Sequence, residues 1–170
     1  RRGAAIVTVP ILAAVHTARF GAPALLLGPS LGTTTRLWER ATAPLAEHFD
    51  IFAVDLPGHG VSPATTEPFS VGELADAVVR VADVAGIERF CYAGDSLGGQ
   101  VALELALRHP DRMLAVSIIC SSAKVGEPAA WHERAATVRR QGAPVLVGPS
   151  AGRWYAPGFI EREPDAVGAM

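Results

Sequence analysis

Two cysteines in 170 residues, 6% aromatic residues and a formal net charge of -2 leave several classes of protein without support. Two thiols are too few for a disulfide framework. Cys91 and Cys120 each lie in an apolar run that reads as a core strand, where a free thiol behaves as a small hydrophobe. Both are expected to be reduced, in a cytoplasmic protein. With 15 Lys and Arg against 17 Asp and Glu there is no basic excess to neutralise a phosphate backbone, so nucleic acid is not expected as a partner. No stretch approaches the roughly 20 apolar residues of a membrane span, so no membrane partner is expected either. The start, "RRGAAIVTVPILAAVHTA", sets two arginines before an apolar stretch as a secretory signal does. Pro10 splits that stretch, however, the β-branched Ile6, Val7, Thr8 and Val9 favour a strand, and no initiator Met precedes them. Metal-ligand clusters and dinucleotide or phosphate-loop fingerprints are missing as well, so no metal and no organic cofactor is expected.

What the chain does have is apolar residues, 49% of the total, arranged as strands alternating with helices. "ALLLGPS" (24–30), "IFAVD" (51–55), "RFCYAG" (89–94) and "MLAVSIICSS" (113–122) read as strands. The runs are apolar throughout rather than alternating, as expected for strands buried on both faces of a parallel sheet. Between them lie "RLWERATAPLAEHF", bent or restarted at Pro44, a helix from about Ser70 to Ala85, and "LGGQVALELALRH", stopped before Pro110. Ser70 and Glu73 have capping-box spacing, Val71, Leu74, Val78, Val81, Ala82 and Ala85 form a stripe, and Gly86 can end the helix. The expected class is therefore α/β, a mostly parallel sheet with helices on both faces. After about Gly126 the character changes to "WHERAATVRRQG" and the loop-rich "RWYAPGF", which suggests a helical cap.

In "CYAGDSLGGQ" (91–100), Gly94 and Gly98 flank Ser96 in a G-x-S-x-G pattern between a strand and a helix. A sharp turn there needs small neighbours and holds the serine in a strained, exposed conformation. Gly99 is expected to let the following helix pack closely. The Leu97 N–H, at the helix start, would face the oxyanion formed when Ser96 attacks a carbonyl. A second donor is needed, and "GPSLGT" (28–33) ends an earlier strand, which makes the Leu31 N–H the candidate.

These stretches resemble the α/β-hydrolases and, within them, the 3-oxoadipate enol-lactonases. The resemblance is carried by "LLLGPSLGTTTRLW", "VDLPGHGVSP", "YAGDSLGGQVALELALRHPDRM", "SSAKVGEPAAWHERAATVR" and "GRWYAPGF". It implies an α/β-hydrolase fold whose N-terminal core occupies 1–125 and whose helical cap begins in 126–170, with Ser96 as nucleophile and Leu31 and Leu97 as the oxyanion hole. The same resemblance places an Asp and a His on loops beyond the cap. They are expected to be missing here, together with the last core strands, since the sequence stops at Met170. The 170-residue chain alone is then expected to be inactive, and its open sheet edge to favour self-association.

Residues that are present offer weak substitutes. His59 lies in "LPGHGVSP", where the resemblance makes it part of a structural turn. His48 and His109 close helices as solvated caps, His16 belongs to the N-terminal strand region and His132 to the cap, while Asp55 reads as a loop-fixing group. An enol-lactone of this kind carries a free carboxylate, so its pocket should offer a cation and apolar walls. Trp131 and Arg134, three apart on a helix and hence on one face, are candidates, with Trp154 beside them; each could equally anchor the cap or face solvent. The expected function is a serine hydrolase opening a small carboxylated lactone. The alternatives are another α/β-hydrolase (an esterase, a carbon-carbon bond hydrolase or a perhydrolase) or a non-catalytic binding module.

Overall fold

A computed structural model describes residues 9–168, so the β-branched stretch Ile6 to Thr8 lies outside the described residues. The chain divides into two compact units, Arg1–Ala123 and Lys124–Met170. In the first, strands β1 (Ala14–Thr17), β2 (Ala24–Gly28), β3 (Asp50–Val54), β4 (Phe90–Asp95) and β5 (Met113–Ile119) form one sheet in the order β1-β3-β2-β4-β5. β1 runs antiparallel to β3 and the remaining pairs are parallel. Helices α1 (Glu39–Leu45), α2 (Val71–Val84) and α3 (Leu97–Arg108) make the connections. The chain leaves β2 for β3 on one side and then crosses to β4 on the other. The order of strands therefore reverses between β2 and β4, and the crevice outside their carboxyl ends is where such sheets bind ligands.

Successive residues of a strand face opposite sides, which explains the unbroken apolar run of β2. Ala24 and Leu26 join the core under α2 and α3 with Leu74, Val78, Val101 and Leu105. Leu25 and Leu27 join the opposite core with Ile51, Ala53 and Trp38, against which Ala41 and Leu45 of α1 pack. Leu26 and Leu27 are fully buried, and each burial contributes about 1.5–3 kcal/mol.

Local signals set the helix ends. The Ser70 hydroxyl accepts from the Glu73 N–H at 3.2 Å while the Glu73 carboxylate accepts from the Ser70 N–H at 2.6 Å, a complete capping box. Gly86, at φ +71°, ends the chain's turn out of α2. Within the expected stripe Leu74, Val78 and Ala82 are buried, whereas Val81 is half-buried and Ala85 exposed. Pro44 sits in the last turn of α1 and stops it rather than restarting it.

Two expectations need correction. Cys120 is exposed, at φ +45° just past β5, so it is not a core thiol; Cys91 is half-buried in β4. The reason is that β5 lies at the sheet edge with Leu114, Val116, Ile118 and Ile119 exposed, although its sequence reads as doubly buried. An apolar edge of this kind is the feature on which self-pairing of sheets depends. His109, the C-cap of α3, is not a solvated cap. Its Nε2 lies 2.7 Å from Asp76 Oδ1 on α2, and Arg108 Nη2 donates to Asp76 Oδ2 at 2.7 Å.

That cluster makes a stability prediction. Burial disfavours the Asp76 charge, but hydrogen bonds from His109 and Arg108 and their positive charge outweigh it, holding the carboxyl below its ordinary value. A lowered carboxyl stabilises the fold above the unfolded value of about 4 and loses that contribution as pH falls through the folded one. Asp76→Asn should therefore cost about 1–2 kcal/mol at pH 7, discounted for partial exposure, with the deficit shrinking below pH of about 4. Urea titrations at the two pH values check this; an unchanged deficit in acid would contradict it.

The second unit is helical, with α4 (Pro128–Gln141), α5 (Val147–Trp154), α6 (Phe159–Arg162) and α7 (Pro164–Gly168) and no strand among the described residues. No helix among the described residues is long and apolar enough to cross a membrane.

Candidate active site

Ser96 stands between β4 and α3 with φ +52° and ψ -109°, a backbone conformation that costs a non-glycine residue about 1–3 kcal/mol. Its surroundings impose that turn. The Ser96 N–H donates to the Ile119 carbonyl of β5 at 2.9 Å, while the Ser96 carbonyl accepts from the N–H groups of Gly99 and Gln100 at 3.0 and 3.2 Å. The strand-to-helix reversal is thus fixed on both sides of the serine. Its side chain caps no helix amide, and the residue is partly exposed, so the hydroxyl remains available.

The glycines leave room for backbone against backbone. A Cβ on Gly94 would overlap the Gly98 carbonyl, and one on Gly98 would overlap the carbonyl of Gly28 at the end of β2. Gly28 and Gly94 are also direct partners across β2 and β4. Gly99 lets α3 pack closely as expected, since a Cβ there would strike the Ser121 side chain beyond β5.

Leu31 follows β2 in a tight turn. The Thr33 N–H and hydroxyl both donate to the Ser30 carbonyl, at 3.1 and 2.8 Å, and Gly32 at the third position has φ +89°, the sign a type II turn requires. Among the described residues neither the Leu31 N–H nor the Leu97 N–H donates to any acceptor of the chain. The second is the ordinary state of a first-turn helix amide. The first is left over by a turn whose other donors are used. Two unspent N–H groups therefore follow the ends of the adjacent strands β2 and β4 at the switch point, the second of them on the residue next to Ser96.

Asp95, next to Ser96, is partly buried. Burial pushes its carboxyl up, and a hydrogen bond with the Ser30 hydroxyl counters this. Asp55 is buried and fixes loops as expected: its carboxylate accepts from the N–H groups of Thr35 at 2.7 Å and Val61 at 3.1 Å. The described histidines have the following partners and places. His16 pairs with Asp50 at 2.8 Å and stacks on Phe52, His109 pairs with Asp76, and His132 belongs to α4 in the second unit. His48 follows α1 and is exposed. Both ring nitrogens of His59 are engaged, Nδ1 with the Pro57 carbonyl at 3.0 Å and Nε2 with the Gly32 N–H at 3.1 Å. An apolar groove of about 410 Å³ beside β1 and α2, lined by Leu12, His16, Phe52, Val81 and their neighbours, includes none of Ser96, Leu31 and Leu97. No group of three His, Cys, Asp or Glu among the described residues could hold a metal ion.

Of the candidates in the second unit, Trp131 and Arg134 are brought together. The guanidinium lies 5.3 Å over the indole, whose N–H donates to the Val125 carbonyl at 2.6 Å. Trp154 ends α5 and is exposed, with no ring contact or hydrogen bond to that pair among the described residues.

Comparison with known proteins agrees with this geometry. The model of the alpha/beta hydrolase fold family matches residues 23–155. The chain is 34% identical over 157 residues to 3-oxoadipate enol-lactonase 2 of Acinetobacter baylyi, covering 91% of this chain and 59% of that protein. It is 34% identical over 116 residues to a pimeloyl-[acyl-carrier protein] methyl ester esterase of Edwardsiella ictaluri, covering 68% of this chain and 43% of that one. The crystal structure of the enol-lactonase from Burkholderia xenovorans superposes with a TM-score of 0.88 at 32% identity, over 92% of this chain and 61% of the other. The chain thus spans about three fifths of the length of the enol-lactonases it matches. With the elbow geometry at Ser96, the match over residues 23–155 shows that this chain belongs to the alpha/beta hydrolase fold family.

Proposed function

We propose that the whole protein is a serine hydrolase that opens a small carboxylated lactone of the 3-oxoadipate enol-lactone type. The observation that carries this reading is the strained, partly exposed Ser96 at the end of β4, with the Leu31 and Leu97 N–H groups, past the ends of the adjacent β2 and β4, left unspent. The similarity to two enol-lactonases supports the lactone as substrate class.

The chemistry follows from the groups present. The Ser96 Oγ attacks the lactone carbonyl carbon while a general base takes its proton. The carbonyl oxygen becomes an oxyanion between the two amides, and each such donor is worth about 3–4 kcal/mol of transition-state stabilisation in a water-excluded site. Collapse breaks the ring C–O bond. The released enol oxygen takes up the proton and stays tethered to the acyl chain, and water then hydrolyses the acyl-enzyme. The reading assigns this base to a part of the whole protein beyond the described residues.

A simple ester hydrolase is the second reading, favoured by the similarity to the methyl ester esterase. The two are separated by measuring kcat/KM of the whole protein on the enol-lactone and on neutral p-nitrophenyl esters. The lactone is expected to be preferred by about 100-fold or more, a difference of roughly 3 kcal/mol. Equal rates, or a preference for the neutral ester, would favour the second reading.

A further inference from the structure

We propose that His59 is a positioning residue of the oxyanion hole, holding the turn that presents the Leu31 N–H. This rests on the reading of Ser96 as nucleophile. The two partners of the ring determine its tautomer. Nδ1 faces a carbonyl, the Pro57 oxygen at 3.0 Å, and must donate; Nε2 faces an N–H, that of Gly32 at 3.1 Å, and must accept. The ring is therefore neutral with its proton on Nδ1, and it has no nitrogen left with which to act as a base on Ser96.

The bond to Gly32 falls on the turn's soft point. Type I and type II turns differ in the orientation of their central peptide, here the one joining Leu31 to Gly32. The Gly32 N–H belongs to that peptide, and φ +89° at Gly32 records its type II state. Holding this N–H blocks the flip. The Thr33 donors are spent on the Ser30 carbonyl and the Gly32 donor on His59, which leaves the Leu31 N–H as the turn's outward group.

The loop that carries His59 is itself firmly built. The N–H groups of Gly58, His59 and Ser62 donate within it at 2.9–3.1 Å. The buried Asp55 carboxylate joins it at Val61 to Thr35, two residues past the turn. The Ser62 hydroxyl donates to the Asp55 carbonyl at 2.7 Å and accepts from the Ala13 N–H at 2.8 Å. The imidazole is thus placed by one rigid loop against another, 27 residues earlier in the chain.

The test uses the whole protein, a p-nitrophenyl ester and the variants His59→Ala and His59→Gln. Glutamine sets an amide oxygen near the place of Nε2 and keeps the acceptor. His59→Ala is expected to lower kcat by about tenfold or more, less than loss of a donor outright, with KM within about twofold and with most of the loss recovered in His59→Gln. Independently of turnover, 15N spectra should show the neutral Nδ1–H ring, and the Gly32 amide should exchange about tenfold faster in His59→Ala than in the parent and near the parent rate in His59→Gln. An unchanged kcat in His59→Ala, with Ser96→Ala inactive, overturns the proposal, as does unchanged Gly32 exchange. If Ser96→Ala keeps its activity, the nucleophile reading has failed, and with it the catalytic role of His59; the exchange result then decides only whether the tether exists.

Discussion

Gly98→Ala is expected to leave little folded protein, with a loss of about 3–5 kcal/mol against the 5–15 kcal/mol that a domain ordinarily has. Gly98 is the point where α3 meets the end of β2. An added methyl would overlap the Gly28 carbonyl, and the Pro29 carbonyl stands at 3.1 Å from the same position. Overpacking in a core costs about 1–3 kcal/mol when side chains can turn aside. Here the obstacle is main chain in a central strand, which cannot turn without breaking its ladder. Gly94→Ala meets the Gly98 carbonyl and should behave alike. Gly148→Ala in α5 has nothing within 4 Å and is the control; alanine there favours the helix. Urea midpoints of the three variants decide the matter. A Gly98→Ala midpoint equal to the parent's would mean that α3 does not approach β2 as closely as described.

Ser96→Ala should lower kcat/KM of the whole protein on its preferred substrate by about 10⁴-fold or more, at least 5.5 kcal/mol of transition-state stabilisation. The fold should survive, because Ser96 makes its hydrogen bonds through the main chain and its side chain caps nothing. Residual turnover above water would come from the two amides that remain. Circular dichroism and a thermal melt beside the kinetics separate loss of chemistry from loss of structure. Turnover within tenfold of the parent would remove Ser96 from the mechanism.

Much of this was legible in the residues. Apolar runs without alternation, as in "ALLLG", suit strands covered on both faces, and the two cores on either side of β2 are that covering. Ser70 and Glu73 announce the start of α2 by their spacing, and the glycines around Ser96 mark a close approach of main chains. What escaped was long-range or set by surroundings. The bond from His59 to Gly32 joins loops 27 residues apart, and nothing in "LPGHGVSP" names its partner. The pairing of His109 with Asp76 depends on how α2 lies against α3, which local pattern does not encode. Cys120 and β5 read as core because composition records that a strand could be covered on both faces, whereas exposure records what lies over it.

The φ of +52° at Ser96 has a consequence for how such a site persists. That backbone region is one glycine enters freely and serine only at a cost, so with Ser96 as the proposed nucleophile residue 96 is where the demands of folding and of chemistry diverge. Folding alone would place a glycine there and release the strain. Serine at this position therefore stands against a preference of the main chain, supported by the Ile119, Gly99 and Gln100 hydrogen bonds that hold the turn. On the proposed reading, drift that preserved only the shape of this domain would erase its reactive atom first.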